Sequence, residues 1–278
     1  MILDEIISCK RQAVARRKKA LPLAELVRRL AGRPPVRSLA GALKPEKKNG
    51  AGEIALIAEI KRASPSKGVI RPQLDPAEIA RQYTEAGAAA ISVVTEENFF
   101  GGRLEFLPAV REATALPVLR KDFIVDPYQL YESRFYGSDA VLLIAAVLSD
   151  RELKEYQRLA AELGMGSLVE THTREELMRA LAAGATVVGI NNRDLHTFQT
   201  DLNTTFRLRP LLPGPGRGIV TVSESGIDSR AQLLALQAHG VDAALVGEAL
   251  MKSPDPAGKV RELLGRIDRE CTGIPVAE

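Results

Sequence analysis

Two kinds of hydrophobic pattern alternate along this chain. Eight short runs are nearly continuous in apolar and β-branched side chains: IALIAEI (54–60), AAAISVVTE (88–96), LPVLRKDF (116–123), AVLLIAAVL (140–148), GSLVETH (166–172), VVGINNRD (187–194), GIVTVSESG (218–226) and AALVGEAL (243–250). Runs of this length and continuity predict strands buried on both faces. Between them the apolar residues recur at helical spacing, as in 76–86, 151–163, 174–183 and 229–239. Eight strand-then-helix units, each near the ~30 residues of a βαβ repeat, predict a closed parallel sheet wrapped in helices, an α/β fold consisting of a single (β/α)8 TIM barrel. An open doubly wound sheet is the main rival. Against it, no G-x-G-x-x-G follows an early strand, no G-x-x-x-x-G-K-[ST] occurs, and GPGRG (214–218) has the wrong spacing and precedes a strand.

The start of the chain is patterned differently. Ile2, Ile6, Ile7, Cys9 and Val14 recur at near-helical spacing, and a basic run at 16–19 reads as a solvated face. A second helix over 23–30 ends near Gly32, Pro34 and Pro35, and 41–52 reads as a linker. The expected organisation is a helical extension (1–50) packed on a barrel catalytic domain (51–278).

Composition narrows the function. With 278 residues and 45% hydrophobic side chains the chain is long enough for one large barrel. Lys and Arg number 38 against 35 Asp and Glu, and a net charge of +3 is too small to point to nucleic acid or an acidic membrane. The longest apolar stretch, 140–148, falls well short of the ~20 residues of a bilayer span. The first residues lack an apolar signal core, so the expected location is cytoplasmic. Two cysteines, Cys9 and Cys271, make neither a disulfide framework nor a thiolate cluster. His172, His196 and His239 share no i, i+3 or i, i+4 spacing, so no metal site is expected. His239 reads as the end of a helix and His172 as a structural hydrogen-bonding residue.

In this fold the site lies at the carboxyl ends of the strands, and those ends are unusually polar here. The runs end in Glu59 and Lys61, Glu96, Lys121 and Asp122, Glu170, then Asn191, Arg193 and Asp194, then Ser223 to Ser225, and Glu248. Side chains alternate along a strand, so Glu59 and Lys61 share a face with Ile57, and Lys121 shares one with Leu119. A structural ion-pair network is the bland explanation, but desolvating so many charges costs several kcal/mol each, which pairing only partly offsets. Ser225-Gly226 and Gly247 allow backbone N–H groups to approach an anion, the usual phosphate cradle of this fold. The fourth run ends without charge. With Phe99-Phe100 and Phe123 it predicts one apolar wall, suited to a substrate with a flat apolar part.

The blocks IAEIKRASPSKG, SVVTEENFFGG, PVLRKDFIVDPYQL, LVETH, GINNRDL, SESGI and LVGEALM, in this order and each at a strand end, closely resemble the indole-3-glycerol-phosphate synthase family of tryptophan biosynthesis. The match covers about 54–251, and the preceding helices resemble that family's extension over the barrel. The resemblance implies conversion of 1-(2-carboxyphenylamino)-1-deoxyribulose 5-phosphate into indole-3-glycerol phosphate, carbon dioxide and water, without metal or organic cofactor. It implies that Lys121 is a general acid, Glu170 a proton-transfer partner in dehydration, and Lys61 a second acid that also pairs with the substrate carboxylate. Glu59 and Asn191 would hold the ribulose hydroxyls and orient the lysines. Ser64, Phe100, Phe123 and Leu142 would form the anthranilate-side pocket, with Arg193 also binding substrate; Ser225, Gly226, Gly247 and Glu248 would form the phosphate turns. Glu248, where some members carry serine, should then act through its backbone N–H, with its side chain pointing away. Glu59 should lie near Lys121. Phosphoribosylanthranilate isomerase and a non-catalytic barrel that binds a phosphorylated ligand are the alternatives. The partner expected is a small phosphorylated substrate, with no nucleic acid or membrane, on a monomer or weak homo-oligomer.

Overall fold

The computed structural model describes residues 2–44, 53–194, 197–214 and 218–266. The expectations for 45–52, His196, Cys271 and the centre of 214–218 lie outside these residues. Eight parallel strands close into a barrel: β1 (Ala55–Ile60), β2 (Ala90–Val94), β3 (Val118–Lys121), β4 (Ala140–Ile144), β5 (Gly166–Thr171), β6 (Val187–Asn191), β7 (Val220–Glu224) and β8 (Ala243–Val246), with β1 hydrogen-bonded to both β2 and β8. The (β/α)8 reading is therefore the fold observed.

Each strand is shorter than its apolar run. In 140–148 the strand stops at Ile144 and the remaining apolar residues form a turn; in 243–250 the last residues begin a helix, Glu248–Lys252. Apolarity marks burial, and a buried turn is as apolar as a buried strand. Helix starts follow side-chain capping. Asp75 accepts from the amides of Ala77 and Glu78 ahead of Pro76–Glu85; Ser149 with Glu152 and Ser229 with Gln232 form capping boxes. No helix among the described residues is long and apolar enough to cross a membrane.

Strand parity sorts the core into two layers. Inward residues Ile57, Ala90, Leu119, Leu142, Leu168, Val187, Val222 and Leu245 fill the barrel, whereas Leu56, Ala58, Ile91, Val93, Val141, Val169 and Val188 pack outward against helices. Full burial of each such large side chain contributes about 1.5–3 kcal/mol.

Residues 2–44 run from one end of the barrel to the other. Helix α1 (Ile2–Ala20) lies at the mouth, where Ile2, Leu3 and Ile6 border the central cavity. Helix α2 (Leu23–Arg28) buries Leu26 against Val14 and Tyr128 on the flank. A third helix, α3 (Leu39–Ala42), capped by Ser38, was not expected; it begins before the stretch read as linker and overlaps its first two residues, and Leu39 and Leu43 join the interior cluster and plug the opposite end. Two leucines four residues apart make a single helical turn, too short to establish a period. The basic run is a solvated face as expected, with Arg16, Lys18 and Lys19 exposed; Arg17 alone is half-buried, pairing with Glu132 at 2.8 Å and Glu97 at 3.2 Å, while Lys18 pairs with Asp126 at 2.6 Å.

The plug is fastened by Asp139, just before β4. Its buried carboxylate accepts from the Arg37 amide at 2.8 Å, the Val118 amide at 2.9 Å and the Arg111 guanidinium. Removing one partner of a buried ion pair leaves the others desolvated and unpaired. Asp139→Ala should therefore lower unfolding free energy by about 3 kcal/mol, read by urea denaturation, whereas Asp228→Ala, on an exposed turn, should change it by under ~0.5 kcal/mol.

Candidate active site

The inward position at the carboxyl end of five strands is polar: Glu59 on β1, Lys121 on β3, Glu170 on β5, Asn191 on β6 and Glu224 on β7. Each sits two residues beyond an inward position of the barrel layer below, namely Ile57, Leu119, Leu168, Gly189 and Val222. Register sets their relative positions: Asn191 pairs with Glu224 across β6 and β7, whereas Glu170 pairs with Gly189, one inward step before Asn191, across β5 and β6. They form the floor of a cavity of about 490 Å³.

One ammonium group organises the floor. Lys121 Nζ lies 2.9 Å from Glu170 Oε2 and 3.4 Å from Glu224 Oε2. Burial alone would lower the Lys121 pKa, but Glu170, Glu224 and Glu59 outweigh it and raise it above the ordinary lysine range. The lysine therefore stays charged. With 19% of its side chain exposed, against 2% for Glu170, it is the member a ligand reaches most readily.

The two carboxylates are pushed apart. Burial would raise both, yet Lys121 and His172 hold Glu170 down, to about 2, while Glu224, facing the charges of Glu170 and Glu59, is pushed up to about 8. One ammonium cannot fully compensate two adjacent carboxylates, so the less well bonded keeps its proton. Glu170 is also hydrogen-bonded by Asn191. His172 Nε2 lies 3.5 Å from Glu170 Oε1, and its Nδ1 is 3.1 Å from Glu176. Its structural hydrogen bond is thus real, but it also stands behind the central carboxylate.

Lys61 forms a 2.9 Å pair with Glu59, leaving Glu59 to act on Lys121 through its field. The expected nearness of Glu59 to Lys121 is thus electrostatic. Phe100, Phe123 and Leu142 line one side of the cavity with Ile144, and the two rings stand 6.3 Å apart at 43°. Phe99 is not among the lining residues. Ser64 lines the rim at the base of a small antiparallel hairpin (Ala63–Ser64 with Gly68–Val69), and its buried hydroxyl finds no partner among the described residues. The hairpin was not foreseen, because two-residue strands carry no readable period.

Ser225 and Gly226 are both left-handed, at φ 69° and 74°. For serine this is strained backbone, costing roughly 1–3 kcal/mol unless the surroundings fix it. Asn192 supplies that fixing: its buried amide donates to the carbonyls of Glu224 at 2.9 Å and Ser225 at 3.0 Å, and its Oδ1 accepts from Thr205. Gly247 also borders the cavity, but a Cβ there would overlap the Glu59 carboxylate, so this glycine is required by a neighbouring acid as well as by any ligand.

Three readings need correction. The Glu248 side chain does not point away: it borders the cavity, 3.4 Å from Arg193 and 2.7 Å from Lys252, because three nearby cations hold it there, the third being Lys67 at 3.9 Å. Arg193 is correspondingly engaged with Glu248 and with Ser66 Oγ at 3.3 Å. Glu96 and Asp122 edge the cavity, but their carboxylates bind backbone amides and Lys10. Asp194 holds a turn, accepting from the Thr197 amide.

Glu224 was the residue missed. Its signal was present, since it lies two beyond Val222 in VTVSESG and so takes the inward parity. Gly189 is its counterpart: a Cβ there would overlap the Glu224 carboxylate.

A family model described as indole-3-glycerol phosphate synthase matches residues 3–263. The chain belongs to the indole-3-glycerol phosphate synthase family. It is 52% identical over 268 residues to that enzyme from Dehalococcoides mccartyi, covering 95% of this chain and 100% of that protein, and 49% identical to the one from Carboxydothermus hydrogenoformans, covering 95% and 99%. Among solved structures it is similar to 3-hexulose-6-phosphate synthase from Salmonella typhimurium, with a TM-score of 0.61 at 16% identity over 76% of this chain and 97% of that one. A tryptophan synthase complex from Pyrococcus furiosus gives 0.56 at 17%, over 76% and 97%. These distant likenesses concern the fold alone. Membership of the indole-3-glycerol phosphate synthase family makes the activity a carboxy-lyase reaction of tryptophan biosynthesis on a phosphorylated small molecule. The isomerase and the non-catalytic barrel are set aside.

Glu224 gives the floor a pH signature. Its pKa is raised in the folded protein, so folding takes up a proton between about 4.5 and 8, and its stability contribution is complete below that window and lost as pH rises through it. Stability should fall from pH 5 to 8 by up to roughly 1 kcal/mol per unit more in the wild type than in Glu224→Gln, measured by urea unfolding at each pH. His172 adds a loss of the same sign, and because Glu224 is among the charges that raise it, the difference between the two proteins reports Glu224 together with its pull on His172.

Proposed function

We propose that the floor residues carry out ring closure, decarboxylation and dehydration of 1-(2-carboxyphenylamino)-1-deoxyribulose 5-phosphate. The observation that carries this reading is the Lys121 ammonium held between Glu170 and Glu224 beside an aromatic wall. Lys121 acts as general acid at the ribulose carbonyl, making that carbon electrophilic toward the aromatic ring. A charged lysine donates well only when its proton is drawn into a short, directed bond, and such positioned donors contribute ~10²–10⁴ in rate. Loss of the ring carboxylate as carbon dioxide then restores aromaticity. Glu170, ionised at neutral pH, takes a proton from the substrate as the hydroxyl formed from the carbonyl leaves, protonated to water by Lys61, the second acid and partner of the substrate carboxylate.

Glu59 and Asn191 hold the ribulose hydroxyls and fix the two lysines. Glu224, missed in the sequence, joins them as the protonated acid of the floor. Phe100, Phe123, Leu142 and Ser64 receive the anthranilate ring, and Arg193 leaves Glu248 for the substrate anion. The phosphate takes the turns after β7 and β8, at Ser225, Gly226 and Gly247, where strain at Ser225 is the kind a binding turn retains. Glu248 contributes its backbone N–H there and its side chain as a tether for Arg193. The protein works without metal or organic cofactor, in the cytoplasm, as a monomer or weak homo-oligomer.

The purified protein should convert the carboxyphenylamino ribulose phosphate to a product with indole fluorescence. Lys121→Met and Glu170→Gln should each lower kcat by at least ~10² with KM changed far less. Full turnover by either variant would remove it from the mechanism.

A further inference from the structure

Among the buried charges that the mechanism does not use is the ammonium of Lys10 on α1. It is 1% exposed and lies 2.8 Å from Asp122 Oδ1 and 3.8 Å from Glu96 Oε1. Burying an ammonium with two carboxylates is a poor source of stability, since an apolar side chain of similar size would often serve as well. What the carboxylates do with their remaining valence is specific. Asp122 Oδ1 also accepts from the Phe123 amide at 2.8 Å, while its Oδ2 accepts from Thr95 at 2.7 Å and Arg120 at 2.9 Å. Glu96 accepts from the amides of Asn98 at 3.2 Å, Phe99 at 2.7 Å and Phe100 at 3.1 Å.

Both carboxylates therefore grip the backbone of an aromatic residue of the cavity wall, and one ammonium holds them together. We infer that Lys10 is a positioning residue for the ring pocket: through Asp122 and Glu96 it fixes the turns after β3 and β2, and so the separation and tilt of Phe123 and Phe100. The same helix brings Ile2, Leu3 and Ile6 to the cavity edge, so that α1 closes the apolar side and sets its walls at once. Losing Lys10 leaves two buried carboxylates repelling each other beneath the wall, and each turn shifts to reach water. The rings then misalign while the phosphate turns, across the barrel on β7 and β8, stay as they are.

This inference rests on the assignment of Phe100 and Phe123 to the ring side of the substrate. Calorimetric titration with indole-3-glycerol phosphate and with glycerol 3-phosphate, which has the tail without the ring, tests the two separately. Lys10→Met and the more conservative Lys10→Gln should weaken indole-3-glycerol phosphate by about 10-fold to 100-fold and leave glycerol 3-phosphate within about twofold, the scale of coupling between groups that share one hydrogen-bonded network. Lys10→Arg should restore much of the loss. Equal weakening of both probes, or of neither, overturns the role of Lys10; if Lys10→Met does not fold, Lys10→Gln decides. Phe100→Ala and Phe123→Ala are the controls, and if they do not discriminate between the probes, the ring-pocket assignment fails whatever Lys10 does.

Discussion

The site depends on a single electrostatic constraint, that one ammonium is shared among more carboxylate than it can neutralise. Lys121 faces Glu170 and Glu224 directly and Glu59 through its field. The shortage of positive charge separates the two acids, so that one is ionised and the other protonated at the same pH. Such a pair suits a reaction needing donors and acceptors in sequence. A substrate that arrives with two anionic groups changes the balance again, which is consistent with Arg193, Lys61 and Lys67 all standing near the rim.

Barrel geometry makes the constraint possible. Inward parity at the strand ends converges side chains from strands far apart in sequence, and closure of the sheet fixes their heights. The layer beneath is apolar apart from the fully buried Ser92, which keeps water from relieving the charge imbalance from below. Two absent side chains are needed as well: Gly189 leaves room for Glu224, and Gly247 for Glu59. A second buried network lies outside the strands, where Arg120, as its parity requires, joins Asp122 and Glu132 of the helix layer. The two networks sit on opposite faces of the same strand, β3, and Lys10 links the outer one to the mouth.

Much of this was legible in the chain because parallel strands buried on both faces produce apolar runs, and a polar residue ending such a run has little structural reason to be there. Glu59, Lys121, Glu170 and Asn191 stood out in that way, and Ser225-Gly226 stood out as a turn. Glu224 was harder to see, since it is embedded among serines in SESG and reads as part of a polar turn until parity is applied. Glu248 was misread because a backbone role was carried over without the cations that hold its side chain. Glu96 and Asp122 read as mouth residues by position, but their partners come from α1 and from turn amides.

The eight strands, the closed barrel, the end at which chemistry occurs and most of the residues that floor it follow from the order of residues along the chain, because period and parity are local properties and a parallel barrel adds its strands nearly in order. Which charges meet is settled by packing in three dimensions. Lys10 is one lysine in a basic amphipathic helix, Leu39 and Leu43 are two leucines one turn apart in a short stretch, and no period along the chain marks them as buried. Their roles exist because residues 2–44 run from the mouth to the opposite end, and contact between positions more than 80 residues apart is a property of packing that no local pattern encodes.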